Sequence, residues 1–190
     1  SYPVIRLQGD VPLVLEFDDL GEDQSNFYYR LIHCNADWTP SDLSQQEYLE
    51  GYFENEIRDR RPSFNTYTSY MHYRLQIPNE DIRLLLSGNY LLLVYRNANP
   101  DEVVFTRRFM VTESSVHIEA SAHMPDLNQY RECCQEVDFT VSHRGITIDD
   151  PFNQPRAVVY QNGLWDLGID ALQPYMINPG ELVYDFQEEN

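Results

Sequence analysis

Three sets of residues have the types and spacing to do chemistry. Asp18-Asp19 followed by Glu22-Asp23 puts four carboxylates in one turn, a set that could hold Ca2+. The run lacks the spacing of an EF-hand loop, and the favoured reading is a solvated hairpin turn, because Asp settles into turns through local hydrogen bonds. Glu80-Asp81 and Asp149-Asp150, each near a proline, read the same way. His33 beside Cys34 offers an imidazole and a thiol, but a thiol nucleophile needs its base in reach and a third group to orient that base. Strand alternation sends these two side chains to opposite faces. The five His residues form no H-E-x-x-H, and His117 and His123 lie about 20 Å apart along one strand, too far to share an ion. G-x-S-x-G and glycine-rich phosphate loops are absent. The expectation is a protein with no catalytic residue, no cofactor and no metal.

What remains is a wealth of rings: Phe27-Tyr28-Tyr29, Tyr48 through Phe53, and Phe64 through Tyr73. Tyr and Arg are the residues that binding surfaces overuse, since they bury flat area and still satisfy a polar tip. The segment from Ser63 to Tyr70 sets Phe64, Tyr67 and Tyr70 among small polar residues, more ring surface than one strand face needs. Phe64, Tyr67, Tyr70, Tyr48, Tyr52 and Arg74 are therefore the candidate partner-binding face. The competing reading is that half of the rings fill the inside of a sheet sandwich.

The elements that must position these residues are strands. Leu13, Leu15 and Phe17 alternate with Val14, Glu16 and Asp18, and Met71, Tyr73, Leu75 and Ile77 alternate with Tyr70, His72, Arg74 and Gln76. Pro3 to Leu7, Phe27 to His33, Tyr90 to Tyr95 and Val103 to Val111 bring the count to at least six strands before residue 113, with turn signals such as Gly9-Asp10, Pro78-Asn79 and Asn99-Pro100-Asp101 between them. Short strands at this spacing predict an antiparallel, immunoglobulin-like β-sandwich over 1–113. Ser87-Gly88-Asn89-Tyr90 places a Tyr at the start of the penultimate strand, where a tyrosine corner sits in such folds, although a ring merely packing there fits the pattern too. Residues 41–70 form an aromatic-rich insertion. In it, Ser41 and Asp42 could cap a short helix, and a long aromatic connection between sheets is the alternative.

Beyond Glu113-Ser114-Ser115 the alternation restarts at Val116, Ile118, Ala120 and Ala122, with further strands expected at Val137 to Ser142, Ala157 to Asn162 and Leu182 to Phe186. This predicts a second β domain over 114–190, the start or all of another sandwich. About 75 residues are few for an independent core, so a truncated domain is expected.

The chain of 190 residues carries 31 Asp and Glu against 13 basic residues, all of them Arg, for a net charge of -18. Such a surface repels phosphate backbones and anionic headgroups, so nucleic-acid binding and membrane attachment are not expected. Ten Arg face 18 acids before residue 114, and three face 13 after it. The three Cys, with Cys133 and Cys134 adjacent, read as free or partly buried thiols.

Several ordered strings are familiar. Tyr29-Arg30-Leu31-Ile32-His33-Cys34-Asn35-Ala36-Asp37-Trp38, Glu47-Tyr48-Leu49-Glu50-Gly51, Ser63-Phe64-Asn65-Thr66-Tyr67, His72-Tyr73-Arg74-Leu75, Ser87-Gly88-Asn89-Tyr90-Leu91 and Thr106-Arg107-Arg108-Phe109 resemble the N-terminal region of the type IX secretion system plug family of Bacteroidetes. Gln161-Asn162-Gly163-Leu164-Trp165-Asp166 resembles the start of that family's next domain more loosely. The resemblance implies successive β-sandwiches, a periplasmic location at the outer membrane, and association with the system's outer-membrane β-barrel translocon, whose periplasmic mouth the plug occludes. Two alternatives stand beside it: a surface glycan-binding module, which calls for coplanar exposed rings in a groove, and a thiol enzyme built on His33 and Cys34.

Overall fold

The computed structural model describes residues 2–21, 26–164 and 168–185. The backbone divides into two compact units, Tyr2–Glu113 and the residues from Ser114 onward.

The first unit contains β1 (Val4–Arg6), β2 (Leu13–Asp19), β3 (Phe27–Cys34), α1 (Gln45–Tyr48), β4 (Leu49–Gly51), β5 (Asn55–Glu56), β6 (Asp59–Pro62), β7 (Met71–Ile77), β8 (Ile82–Leu84), β9 (Gly88–Arg96) and β10 (Val103–Thr112). One sheet runs β1-β10-β9-β3-β5 and the facing one β2-β7-β6, with β4-β8 as a separate ribbon. Apart from the parallel β1–β10 pair, the ladders are antiparallel, as in immunoglobulin-type sandwiches.

The core is the space between the sheets. Phe27, Tyr29 and Leu31 of β3, Tyr90, Leu92 and Val94 of β9, and Phe109 and Val111 of β10 meet Tyr73, Leu75 and Ile77 of β7. Phe17 of β2 packs edge-on against Phe27 at 5.2 Å and stacks on Tyr73 at 5.1 Å, so the alternation along β2 and β7 is the imprint of this layer. Tyr90 does form the corner: its hydroxyl donates to the Leu86 carbonyl four residues back at 2.8 Å, and its ring stacks on Phe109 at 5.4 Å.

The 41–70 insertion holds the three short strands β4, β5 and β6 joined by loops. Its helix is the single turn α1, capped by Ser44 rather than by Ser41 or Asp42, with Glu47 accepting from the Ser44 amide and hydroxyl at 2.7 Å each. Gly51 then takes φ +114, where an added Cβ would fall 2.0 Å from the Asp81 carbonyl, so only glycine lets β4 lie against β8.

The second unit holds β11 (His117–His123), a 3-10 turn (Asn128–Tyr130), β12 (Glu136–Ser142), β13 (Ala157–Val159), β14 (Ile169–Leu172), β15 (Met176–Asn178) and β16 (Glu181–Tyr184). Its main sheet runs β11-β12-β16-β15, with β13-β14 as a second, two-stranded sheet. Phe139 stacks on Tyr184 at 4.5 Å. Among the described residues of this unit, Leu182 and Tyr184 are its buried large hydrophobics, and an apolar cavity of about 390 Å³ opens beside them, lined by Leu127, Val137, Phe139, Leu172 and Tyr184. The expected strand at Leu182 to Phe186 is β16, while Phe186 lies outside the described residues.

Candidate protein-binding surface

The hairpin between β6 and β7 carries the exposed rings. Ser63 and Tyr70 tie its neck, the Ser63 amide donating to the Tyr70 carbonyl at 2.8 Å and the Tyr70 amide to Ser63 Oγ at 3.0 Å. Asn65 turns the chain at φ 57, and Thr66 Oγ1 donates to the Thr68 carbonyl at 2.9 Å. In that closed loop Phe64 is 92% exposed and Tyr67 fully so, at 113%, while Tyr70 is half-buried at the neck. A short loop has no interior in which to bury two rings, so its sequence puts them in water. Tyr52 is exposed as well, at 71%.

Two of the expected binding residues stand elsewhere. Tyr48 is a correction: it is only 7% exposed, because it ends α1 on the core side, stands in the hydrophobic core beside Leu49, and donates its hydroxyl to the Leu31 carbonyl at 3.3 Å. Arg74 points outward from β7 but is engaged, its Nε 3.2 Å from Glu16 Oε1 on β2, with Asp59 of β6 opposite it in register. His72 and Asp18 form the next rung at 2.7 Å. The outer face of β2-β7-β6 is thus a ladder of satisfied charges.

The opposite outer face, that of the five-stranded sheet, was hidden in the sequence. Tyr28, Arg30 and Ile32 of β3 lie in register with Tyr95, Leu93 and Leu91 of β9, and Arg108 of β10 follows Leu91. Tyr28 stacks on Tyr95 at 6.1 Å. The Arg108 guanidinium lies 4.9 Å from the Trp38 ring and 5.9 Å from that of Tyr2, and it donates to the Tyr2 hydroxyl at 3.2 Å. Burial, with Glu54 close by, pushes the Tyr95 phenol up to about 12. The signal available was that β3 is apolar or aromatic at even as well as odd positions, which marks a strand needed on both faces.

The acid and thiol candidates resolve plainly. Asp18 pairs with His72; Asp19 lies 3.5 Å from Arg96 and accepts from the Gly21 amide at 3.2 Å, while Glu22 and Asp23 lie outside the described residues. Asp81 lies 3.5 Å from Arg58, and Asp150 accepts from Asn153 and the Phe152 amide, which holds its carboxyl below the usual range. His33 turns to the core side, its Nδ1 2.9 Å from Ser41 Oγ and its Nε2 donating to the Ser87 carbonyl at 3.2 Å. Cys34 is buried on the other side of β3 and its thiol is pushed up by that burial, so the pair makes no activated nucleophile.

These features define an all-β, immunoglobulin-like sandwich protein whose most exposed rings stand on a tied hairpin loop. Residues 1–113 match the family described as the Type 9 secretion system plug protein 1st domain, and the chain belongs to that family. It is also similar to a hypothetical protein from Parabacteroides merdae ATCC 43184 whose crystal structure was solved at 2.30 Å: identity is 35% and the TM-score 0.88. The likeness covers 97% of this chain and 47% of that one, so the chain spans about half the length of that relative. No curated protein matches. The family gives a secretion-system location, and among the described residues no helix is long and apolar enough to cross a membrane.

Proposed function

We propose that this chain is a non-enzymatic binding component of the type IX secretion system that plugs the periplasmic mouth of the outer-membrane translocon barrel. The family supports the system, and one observation carries the mode of action: Phe64 and Tyr67 stand fully in water on a loop whose neck is tied by two hydrogen bonds. Exposing two rings costs roughly the ~1.5–3 kcal/mol each would gain on burial, so a partner that covers them recovers that energy without ordering a flexible segment. The stiff sandwich behind the loop supplies the rigidity an obstruction needs. The glycan-binding alternative calls for coplanar rings in a groove, whereas these two rings are exposed on every side.

The test is co-purification with the translocon from outer-membrane extracts, comparing wild type with Phe64→Ser/Tyr67→Ser. The wild type is expected to be retained and the double variant released, with unchanged circular dichroism and melting temperature, since neither ring touches the core. Absence of the wild-type chain from the barrel, or equal retention of both proteins, overturns the reading.

A further inference from the structure

The main sheet of the second unit has unlike faces. Val137, Phe139 and Val141 of β12, with Leu182 and Tyr184 of β16, make one side apolar, and β11 adds Ile118, Ala120 and Ala122 to it by register. The other side carries His123 opposite Glu136, with Asp138 two residues further along β12. Strand pairing therefore brings an imidazole and two carboxylates together, and one ligand atom from each lies within 4.8 Å of the others.

The surroundings of these three side chains are those of metal ligands. His123 Nδ1 donates to the Met124 carbonyl at 3.0 Å, fixing the ring and aiming Nε2 at Asp138 Oδ2, 2.6 Å away. A ligating imidazole is held in this way, by a carbonyl on its other nitrogen. Glu136 Oε2 accepts from the Asp126 amide at 3.0 Å, which orients that carboxylate in turn. Asp138 Oδ1 is closed off from solvent and has no hydrogen-bond partner.

Charge points the same way. Asp185, next after β16, lines the same cavity as Glu136, and Asp126 donates its amide to Glu136, so with Asp138 four carboxylates crowd one end of the sheet. Arg131 spends its guanidinium on the carbonyls of Pro125 and Asp126. Among the described residues no Arg forms an ion pair with any of the four.

We propose that His123, Glu136 and Asp138 form a binding site for a divalent transition-metal ion of the zinc class. Mixed imidazole and carboxylate donors suit Zn2+, whereas Ca2+ prefers oxygens alone. The ion would clamp β11 to β12 in a unit with few buried side chains, where a metal does what a larger core would otherwise do.

The experiment is a competition titration of the 190-residue chain, stripped with a chelator, against a chromophoric zinc indicator. One Zn2+ per chain is expected. Glu136→Gln and Asp138→Asn should each weaken it at least ~10-fold, the scale on which even supporting partners of a metal site act. Cys133→Ser/Cys134→Ser should bind as wild type does, and circular dichroism confirms that each variant is folded. Zinc should also raise the melting temperature of the wild type and not that of His123→Gln. No zinc uptake, uptake unchanged in the carboxylate variants, uptake lost with the cysteines, or a preference for Ca2+ over Zn2+ overturns the assignment.

Discussion

Replacing Tyr90 by Phe removes one oxygen from the middle of the first unit and leaves every ring contact in place. The side chain is wholly buried, stacks on Phe109 at 5.4 Å and meets the His33 ring edge-on at 5.1 Å, and none of this needs the hydroxyl. What is lost is the 2.8 Å bond to the Leu86 carbonyl and a longer, 3.5 Å contact to that of Tyr48. Stranding a buried acceptor costs about 1–3 kcal/mol, and because Leu86 is partly exposed, water can take over some of the loss, which sets the expectation at about 1–2 kcal/mol. With a urea m-value of about 2 kcal/mol/M for a unit of this size, the midpoint should fall by roughly 0.5–1 M at unchanged m. The chain has two Trp, at 38 and 165, so urea titrations in a Trp165→Phe background make Trp38 fluorescence report the first unit alone. Tyr28→Phe, which keeps its stacking on Tyr95 at the outer face, serves as the control and should stay within about 0.5 kcal/mol. A Tyr90→Phe midpoint within roughly 0.2 M of wild type, on the same m-value, would refute the view that the corner bond holds the β8–β9 turn.

Two further outcomes follow from the same core. Gly88 sits at φ +140, and a methyl there would stand 2.4 Å from His33 Nε2. Gly88→Ala should therefore cost at least about 1–3 kcal/mol from backbone strain alone, read as a lower melting temperature, whereas Gly145→Ala, which meets nothing within 4 Å, should melt as wild type. Burial also pushes the phenols of Tyr29, Tyr48 and Tyr90 up, and that of Tyr95 up to about 12. A raised phenol favours the neutral form in the fold, so stability is fully present below pH 10 and falls as pH rises through the folded-state values. Tyrosinate absorbance should rise first for exposed rings and then together with loss of the circular dichroism signal. Ionisation of all 14 tyrosines in one step near pH 10 with the fold intact would show the burial to be wrong.

Periodicity revealed the long strands because each has one wet and one dry face, and that asymmetry is written residue by residue in β2 and β7. It did not reveal β4, β5, β6, β8, β14 and β15, which span two to four residues, too few for a period to repeat; β1, β13 and β16 are as short and were legible only within longer apolar runs. The same brevity hid the fate of Tyr48, since the true cap at Ser44 moves the helix three residues beyond Ser41 and turns its last residue inward. Phe64 and Tyr67 were legible because a ring among Ser, Asn and Thr in a turn has no strand face to join. The imidazole and carboxylates at the end of the second sheet were not legible. His123 and Asp138 are 15 residues apart, and only the β11–β12 register makes them neighbours.

The absence of Lys acquires a structural sense in the first unit even though its origin lies outside the fold. Arg96 and Arg107 lie over the Phe27 and Phe105 rings at 5.4 and 4.9 Å, and Arg108 lies over Trp38, placements that use the flat guanidinium and that an ammonium would fill less well. Arg58, Arg61, Arg74 and Arg83 instead pair with carboxylates. Arg96 does both, lying 3.5 Å from Asp19 as well, so the division by task holds for Arg61 and Arg74 on one sheet and Arg108 on the other. On the β2-β7-β6 side Arg74 and Arg61 meet acids within the same sheet, so a partner docking there would have to break pairs before making any. On the β10-β9-β3 side Arg108 stands beside rings and aliphatic chains, with a charged edge still facing water. On that side Leu93 and Tyr95 are already buried, so what a partner would meet is the Arg108 guanidinium, not spent on a carboxylate, and the part-exposed Tyr28, Ile32 and Leu91. If the chain acts as proposed, this asymmetry leaves the Phe64 and Tyr67 loop and the Arg108 edge, rather than the ion ladder, as the ground on which a docking protein would gain energy.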